Sequence, residues 1–497
     1  MKKALSIILT LCMLMALVPT AFAASTPPDF SDGWTALTSA DGGKKFDGGN
    51  YYLSEDITID APLYFYGNVV LDLNGHVIKF NSRFYGGSAQ GTIIYLSNVK
   101  LTGEVCAINF TLQDSNPTAK HYFSKQKNGT WKWEPTVTEA TEGYELVEGG
   151  VITGGNFNEG GGIHAFHNEL SVALDINING GNIVGCIAGT GGGGIYSARS
   201  NVNMNGGNII GCASGNYGGG IQSSGNFTMN GGSIKDCVAP NGGGVYFAGF
   251  DKTFTMNGGI IENCVGISVS GGVMNYGAVF KMTGGSIKNC ESTNTPSSNA
   301  YCSAEVGETY ADGGVIDGAA NFGSWCDIKR SDDAKGTTVF NGKVTYSGNV
   351  YAGIFYGGLD YVDSKFGGYV GNTYTVKFFE NDTDTEPFAT ALVVGDGTKL
   401  VPPIMPERED YALVWYTENG SGYDFDSVVA SDFSLYAGYK HINHADSDGD
   451  GLCDVCDEAV PTTTPTEPTT EKTFADHILN LIYEAIRAIL RILSGRI

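Results

Sequence analysis

The stretch of the chain richest in ligand chemistry is HINHADSDGDGLCDVCDE, residues 441–458. Two donor sets are interleaved in it. Asp446-x-Asp448-x-Asp450-Gly451 alternates carboxylates and then supplies a turn glycine. Counting on, the Leu452 carbonyl falls at position seven, Asp454 at nine and Asp457 at twelve. Ca²⁺ takes about six to eight oxygens, and this run can supply them, with less bidentate coordination from an Asp than from a Glu at position twelve. Calcium is therefore the first expectation for a cofactor. The same residues carry His441-x2-His444 and Cys453-x2-Cys456, nitrogen and sulfur donors at a spacing that suits tetrahedral Zn²⁺. A Cys453–Cys456 disulfide and an acidic turn that binds nothing are the other readings.

A second constellation lies in residues 114–146, DSNPTAK to GYEL in outline. It gathers Tyr122, Trp131 and Trp133 beside Lys120, Lys125, Lys127 and Lys132. Aromatics next to cations can stack a sugar or grip a polymer. The plainer reading is an inserted hairpin whose aromatics cover apolar surface. Acid–base chemistry is thinly provided elsewhere. In the regular part of the chain the acids Asp175, Asp236, Asp251 and Glu262 are scattered, and Lys235 and Lys288 alternate with Asp236 and Glu262 as a solvated charge ladder would. His76 follows a turn glycine and reads as structural.

These groups must be positioned by a repeat. The copies INGGNIVGC, MNGGNIIGC, MNGGSIKDC, MNGGIIENC and MTGGSIKNC end at Cys186, Cys212, Cys237, Cys264 and Cys290. A second phrase, GGGI, GGGV or GGV, ends at Ile163, Ile195, Ile221, Val245 and Val273. A cadence near 26 residues marks a solenoid whose units bury their apolar faces by stacking on neighbours. Short alternating runs cut by glycine pairs read as strand, not helix. Two or three such strands fill one circuit of a parallel β-helix, and parallel crossovers are right-handed. Three inward columns follow: Ile178/Met204/Met229/Met256/Met282, Ile183/Ile209/Ile234/Ile261/Ile287, and the cysteines, which read as small buried hydrophobes. Disulfides between circuits suit the geometry poorly, because side chains of one column point the same way. Asn179, Asn205, Asn230, Asn257 and finally Thr283 form a column able to hydrogen-bond along the stack.

The expected fold is thus all-β: a right-handed parallel β-helix over 50–370, with the insert at 114–146, after a lead-in over 24–49. Residues 372–439 form a different unit. Val376-Lys377-Phe378, Gly397 with Pro402 to Pro406, Trp415-Tyr416, Tyr423-Asp424-Phe425 and Leu435-Tyr436-Ala437 resemble the Listeria–Bacteroides (internalin-type B) repeat. The family's Gly-Tyr and closing Trp are here Asp410-Tyr411 and Tyr439. The resemblance implies a small β-grasp-like, non-enzymatic spacer or interaction module. The acidic loop at 441–458 resembles EF-hand and dockerin loops, without a flanking helical pattern. Residues 50–370 resemble the β-helix surface proteins of gut anaerobes, and their GGGI and NGG-x-I-x-x-C phrases are similar to repeats of polymorphic outer-membrane proteins and other adhesin-like solenoids. Pectin-degrading enzymes share that fold, but fold does not fix function. No Gly-His-Gly or Arg-x-Lys phrase of the hydrolase kind is present.

Lys2-Lys3, the apolar run Ala4 to Val18 and Ala21-Phe22-Ala23 read as a signal peptide over 1–23. A formal charge of −24 over 497 residues argues against nucleic acid or an anionic membrane as partner of the main body. Residues 460–473 are a Pro/Thr linker. Residues 474–497 are an amphipathic helix with Ile478, Leu481, Ile482, Ile486, Ile489 and Leu493 on one stripe and Glu484, Arg487 and Arg491 opposite. It suits a membrane interface, self-association or packing on the stack better than it suits spanning. The expected function is a secreted, envelope-associated, adhesin-like scaffold that binds a polysaccharide or host surface ligand. The alternative is a polysaccharide lyase or glycoside hydrolase acting on pectin-like polymers in a groove of the same stack.

Overall fold

The computed structural model describes residue 30 and residues 32–81, 91–100, 102–293, 301–303, 307–317, 319–322, 326–361, 369–442, 452–453 and 455–456. The signal peptide, His444, Asp446, Asp448, Asp450, Asp454, Asp457, the Pro/Thr linker and the C-terminal helix lie outside the described residues.

Strand dominates, and the helical element among the described residues is a single 3-10 turn, Ser39–Asp41. The repeat folds as its cadence requires. Leu174–Ile178, Asn201–Met204, Phe227–Met229, Thr253–Met256 and the front of Ala278–Lys288 pair in parallel, each with the next. Val151–Thr153, Asn182–Val184, Asn208–Ile210, Ser233–Lys235, Ile260–Glu262 and the rear of Ala278–Lys288 make a second ladder. Ile163–Phe166, Ile195–Ala198, Ile221–Ser223, Val245–Phe247 and Val273–Asn275 make a third. A six-stranded sheet runs from Asn156–Glu159 through Ala213–Ser214 to Glu291–Ser292. Each circuit therefore carries four short strands, more than the two or three expected. The extra one is often two residues long, too short for alternation to register in sequence. This long parallel pairing is compatible with a β-helix solenoid. It begins upstream of residue 50, where Trp34–Leu37 pairs with Asn50 to Leu53.

The inward columns are packed. The methionine and isoleucine columns stand in register and are buried, as are the cysteines, of which Cys290, at 3% exposed, is the most accessible. A fourth column, Phe110, Ile176, Val202, Phe227, Phe254 and Phe280, lies on the first ladder. The two phrases of the repeat are coupled by space. A Cβ on Gly220 would stand 2.7 Å from Ile234 Cγ2 and 3.4 Å from Cys237 Sγ. The last glycine of one phrase thus leaves the room that the next circuit's isoleucine and thiol fill, and a thiol is small enough to fit it. At the turn, Asn205 donates to Asn179 Oδ1 at 2.9 Å, Asn230 to Asn205 and Asn257 to Asn230 at 2.8 Å, and Thr283 Oγ1 closes the ladder on Asn257 at 2.7 Å.

The residue before each repeat cysteine has left-handed backbone: Gly185, Gly211, Asp236, Asn263 and Asn289, with φ from +52° to +64°. Glycine, Asn and Asp are the residues that tolerate this bend. The change from glycine to Asx along the stack has a packing cause. The insert is a three-stranded antiparallel sheet of Lys120–Lys125, Trp131–Trp133 and Tyr144–Glu148, laid on the first circuits. A Cβ on Gly211 would meet Trp131 Cδ1 at 2.2 Å, and Trp131 N donates to Gly211 O at 3.1 Å. Trp131 packs with Phe123 and Val147 on Val77, Val151, Val184 and Ile210 of the stack. Asp114 clips the base of the insert, one carboxylate oxygen accepting from Gly75 N and the other from Gly150 N, both at 2.7 Å.

The last circuits merge with the following module. Gly353–Phe355 pairs antiparallel with Leu392 to Val394 of strand Ala389–Val394, and Val339 and Ile354 share a core with Val376, Phe378, Val393, Leu400, Trp415 and Leu435. Arg330 Nη1 also donates to Gly397 O at 2.8 Å. This segment thus continues the sheet, pairing on the edge that Gly353–Phe355 would otherwise leave open.

One substitution isolates the contact between stack and insert. Gly211→Asn installs the residue that later circuits use at this bend, but drives it into Trp131. We expect a loss of about 1–3 kcal/mol and a red-shifted tryptophan emission before any denaturant is added. Asn263→Gly, at the equivalent bend without an insert above it, should change stability by less than about 1 kcal/mol in the same urea titration.

Candidate functional site

Three of the residues singled out as metal ligands are brought together. His441 Nδ1, Cys453 Sγ and Cys456 Sγ all lie within 4.8 Å of one another. Cys453 Sγ is 3.4 Å from His441 Nδ1. His441 ends the strand Phe433–His441, and its ring packs on Tyr411 with centroids 5.1 Å apart. Ile442 N donates to Asp410 O at 2.8 Å, which fixes the chain just beyond the histidine. His441 and Cys453 are buried and Cys456 is half-buried. Of the calcium set, Leu452 lies within the described residues and is exposed. The five aspartates, Asp446, Asp448, Asp450, Asp454 and Asp457, do not, nor does His444.

The second site is a cleft of about 700 Å³ between the inserted sheet and the stack. Lys79, Thr153 to Asn156, Gly185 and Ile187 form its floor, and Gln126 to Asn128 and Thr130 to Trp133 form its roof. Among the described residues no carboxylate lines it. The structure divides the two sequence readings of the insert. Tyr122 and Trp131 are buried and do the covering. Trp133 is half-buried and borders the cleft with Lys79, Lys127 and Lys132. Lys132 Nζ lies 2.9 Å from Glu134, whose carboxyl is held below the usual range first by that hydrogen bond, with Lys79 also contributing. Lys125 is not a wall of the cleft. It sits 5.0 Å over the Trp131 ring and pairs with Glu145 at 3.4 Å and Asp236 at 3.9 Å. Lys120 is exposed, opposite Glu148 on the insert's edge strand. Sequence reading missed Lys79, which stands well before the insert and joins the cleft by register alone.

The scattered acids of the stack have structural partners. Asp175 accepts from Asn201 Nδ2 at 2.8 Å. Glu262 stands in register between Lys235 and Lys288 and pairs with Lys288 at 3.2 Å. Asp236 and Asp251 occupy left-handed bends, so Asp236 is a turn residue beside the charge ladder. His76 Nδ1 lies 3.5 Å from Asp56 at a turn.

A cluster that sequence reading did not find is Glu159, His164 and Tyr196. His164 is buried between Tyr95 and Tyr196, with ring centroids at 4.9 and 5.4 Å. Its Nδ1 faces Glu159 O at 2.8 Å. Burial pushes the His164 pKa down and the Glu159 carboxyl up, and burial followed by the nearby Glu159 charge pushes Tyr196 up to about 12. The signal that could have found it is the outward column Tyr95, His164, Tyr196, aligned by the third ladder. Stacked ring on ring, the imidazole serves packing more directly than proton transfer.

That burial has a sign. A histidine whose folded pKa lies below the ordinary 6.5 leaves the unfolded chain binding more protons, so stability falls as pH drops below about 6.5. His164→Phe keeps the stack and removes the titration. The melting temperature of the native chain should therefore fall more than that of the variant between about pH 7.5 and pH 5. Parallel curves in circular dichroism melts would exclude a buried neutral His164. Glu159 is common to both proteins, and its raised pKa acts in the opposite direction at lower pH.

Comparison with protein-family models, with curated proteins and with solved structures finds no match.

Proposed function

We propose that the chain is a secreted, cell-envelope-associated scaffold of the adhesin-like kind, which binds a polysaccharide or host surface ligand and does no catalysis. The observation that carries this reading is the cleft under the insert. A chain with formal charge −24 places Lys79, Lys127 and Lys132, the last of them paired with Glu134, and a half-buried tryptophan around one groove, and among the described residues no carboxylate lines it. Such a groove favours an anionic sugar: the ammonium groups meet carboxylate or sulfate, and the indole face stacks on the pyranose. The right hand of the coil, the signal peptide and attachment through 474–497, by envelope contact or self-association, belong to the same proposal. So does the identification of 372–439 as a Listeria–Bacteroides-type module. That identification is supported by strand Thr373–Phe379, which pairs in parallel with the last strand and antiparallel with Ala389–Val394. Calcium at the 446–457 oxygen set stays part of the reading as the stretch's first expectation.

The alternative, a lyase or hydrolase on pectin-like polymers, would have to use the Glu159, His164 and Tyr196 cluster, which offers groups with displaced pKa values. One experiment separates the two. The purified chain is titrated with polygalacturonate and with a neutral galactan, and the mixtures are assayed for new reducing or unsaturated ends. We expect saturable binding to the anionic polymer, no products, and affinity about tenfold lower in Lys79→Glu/Lys127→Glu and at high salt. Trp133→Ala should weaken binding without adding salt sensitivity. Product release would favour the enzyme, and equal affinity for both polymers would remove the cleft's cations from the account.

A further inference from the structure

We infer that His441, Cys453 and Cys456 form a Zn²⁺ site, which ties the end of the strand Phe433–His441 to the two cysteines. A tetrahedral Zn²⁺ with bonds of about 2.0–2.3 Å sets its ligands about 3.3–3.8 Å apart. The His441 Nδ1 to Cys453 Sγ separation of 3.4 Å already falls in that range, and the third donor lies within 4.8 Å of both. Three protein donors leave the fourth tetrahedral position for a further ligand. The donors decide the metal. Hard Ca²⁺ takes oxygens, whereas two thiolates and an imidazole select a borderline-soft ion.

The surroundings are those of a structural site. His441 and Cys453 are 7% and 1% exposed. The imidazole is held by its place at the strand's end and by the Tyr411 ring. Arg408 stacks on Tyr439 at 3.7 Å, and Tyr439 Oη donates to Pro406 O at 2.8 Å, so the backbone leading into His441 is fixed on the same small unit. Among the described residues of that unit few apolar side chains are buried, and a metal bond across the twelve-residue separation of His441 and Cys453 supplies what a core would. Binding displaces the thiol protons to solvent, so zinc loading weakens as pH falls.

The test uses the full chain, purified under reducing conditions, stripped with a chelator and dialysed against Zn²⁺ or Co²⁺. We expect about one retained zinc per chain by mass spectrometry of the metal, and thiolate-to-cobalt charge-transfer absorption in the Co²⁺ form. Cys453→Ser and His441→Ala should lose the stoichiometric metal while the far-ultraviolet dichroism of the stack is unchanged. Cys456→His keeps a donor, and should retain cobalt with a weaker sulfur band. The proposal falls if Cys453→Ser retains zinc undiminished, which would assign the metal to other residues. It also falls if peptide mapping of the native protein finds Cys453 joined to Cys456, or if Ca²⁺ alone is retained with no thiolate signature in the cobalt form.

Discussion

Each strand amide in the stack finds its partner one circuit away. Asn182 N donates to Gly150 O and Asn208 N to Gly181 O, and the isoleucines between them are covered only when the next circuit is in place. No circuit is stable alone, and every circuit exposes an edge that demands another. Much of the chain's irregular sequence answers that demand. At the C-terminal end the antiparallel pairing of Gly353–Phe355 with Leu392 to Val394 replaces the parallel ladder, and an apolar core shared with Val376 and Trp415 fills the space beneath. A segment that sequence reading treats as a spacer or interaction module is thereby also a sheet partner of the last circuits.

The same dependence fixes where variation is tolerated. Columns facing inward repeat Met, Ile and Cys because each side chain packs on the circuits on either side, and a change of one methylene is felt by both. The glycine phrases are bound to those columns, since the space above Gly220 is the space of Ile234 and Cys237. The bend before each cysteine varies among Gly, Asp and Asn, the residues that tolerate its left-handed backbone. Where Trp131 lies over the bend, that freedom contracts to glycine.

Periodicity made the parallel stack, its methionine, isoleucine and thiol columns and its asparagine ladder legible, because a 26-residue cadence dictates which residues meet. It could not show the fourth strand, whose two residues carry no pattern. Nor could it show that Lys79 joins Lys127 and Lys132, since that meeting depends on which circuits the insert covers. His164 was invisible for a related reason. A lone histidine carries no signature until register sets it between Tyr95 and Tyr196. At the end of the last strand the spacing named His441, Cys453 and Cys456 among several donors, and the fold around His441 brings the donor atoms of those three within 4.8 Å of one another.

A repeating stack offers a ligand the same groups at every step of about 4.8 Å. The Asn179 to Thr283 ladder does this literally, and its amides satisfy one another before they can satisfy a ligand. Recognition of one ligand over another therefore needs a departure from repetition. The insert is such a departure: it brings cations from 127–132 onto a lysine from an early circuit, in a chain otherwise rich in acid. It can do so because two bends beneath it, at Gly185 and Gly211, are glycine. The regular part of the sequence supplies the platform, and chemical individuality enters where the cadence is interrupted.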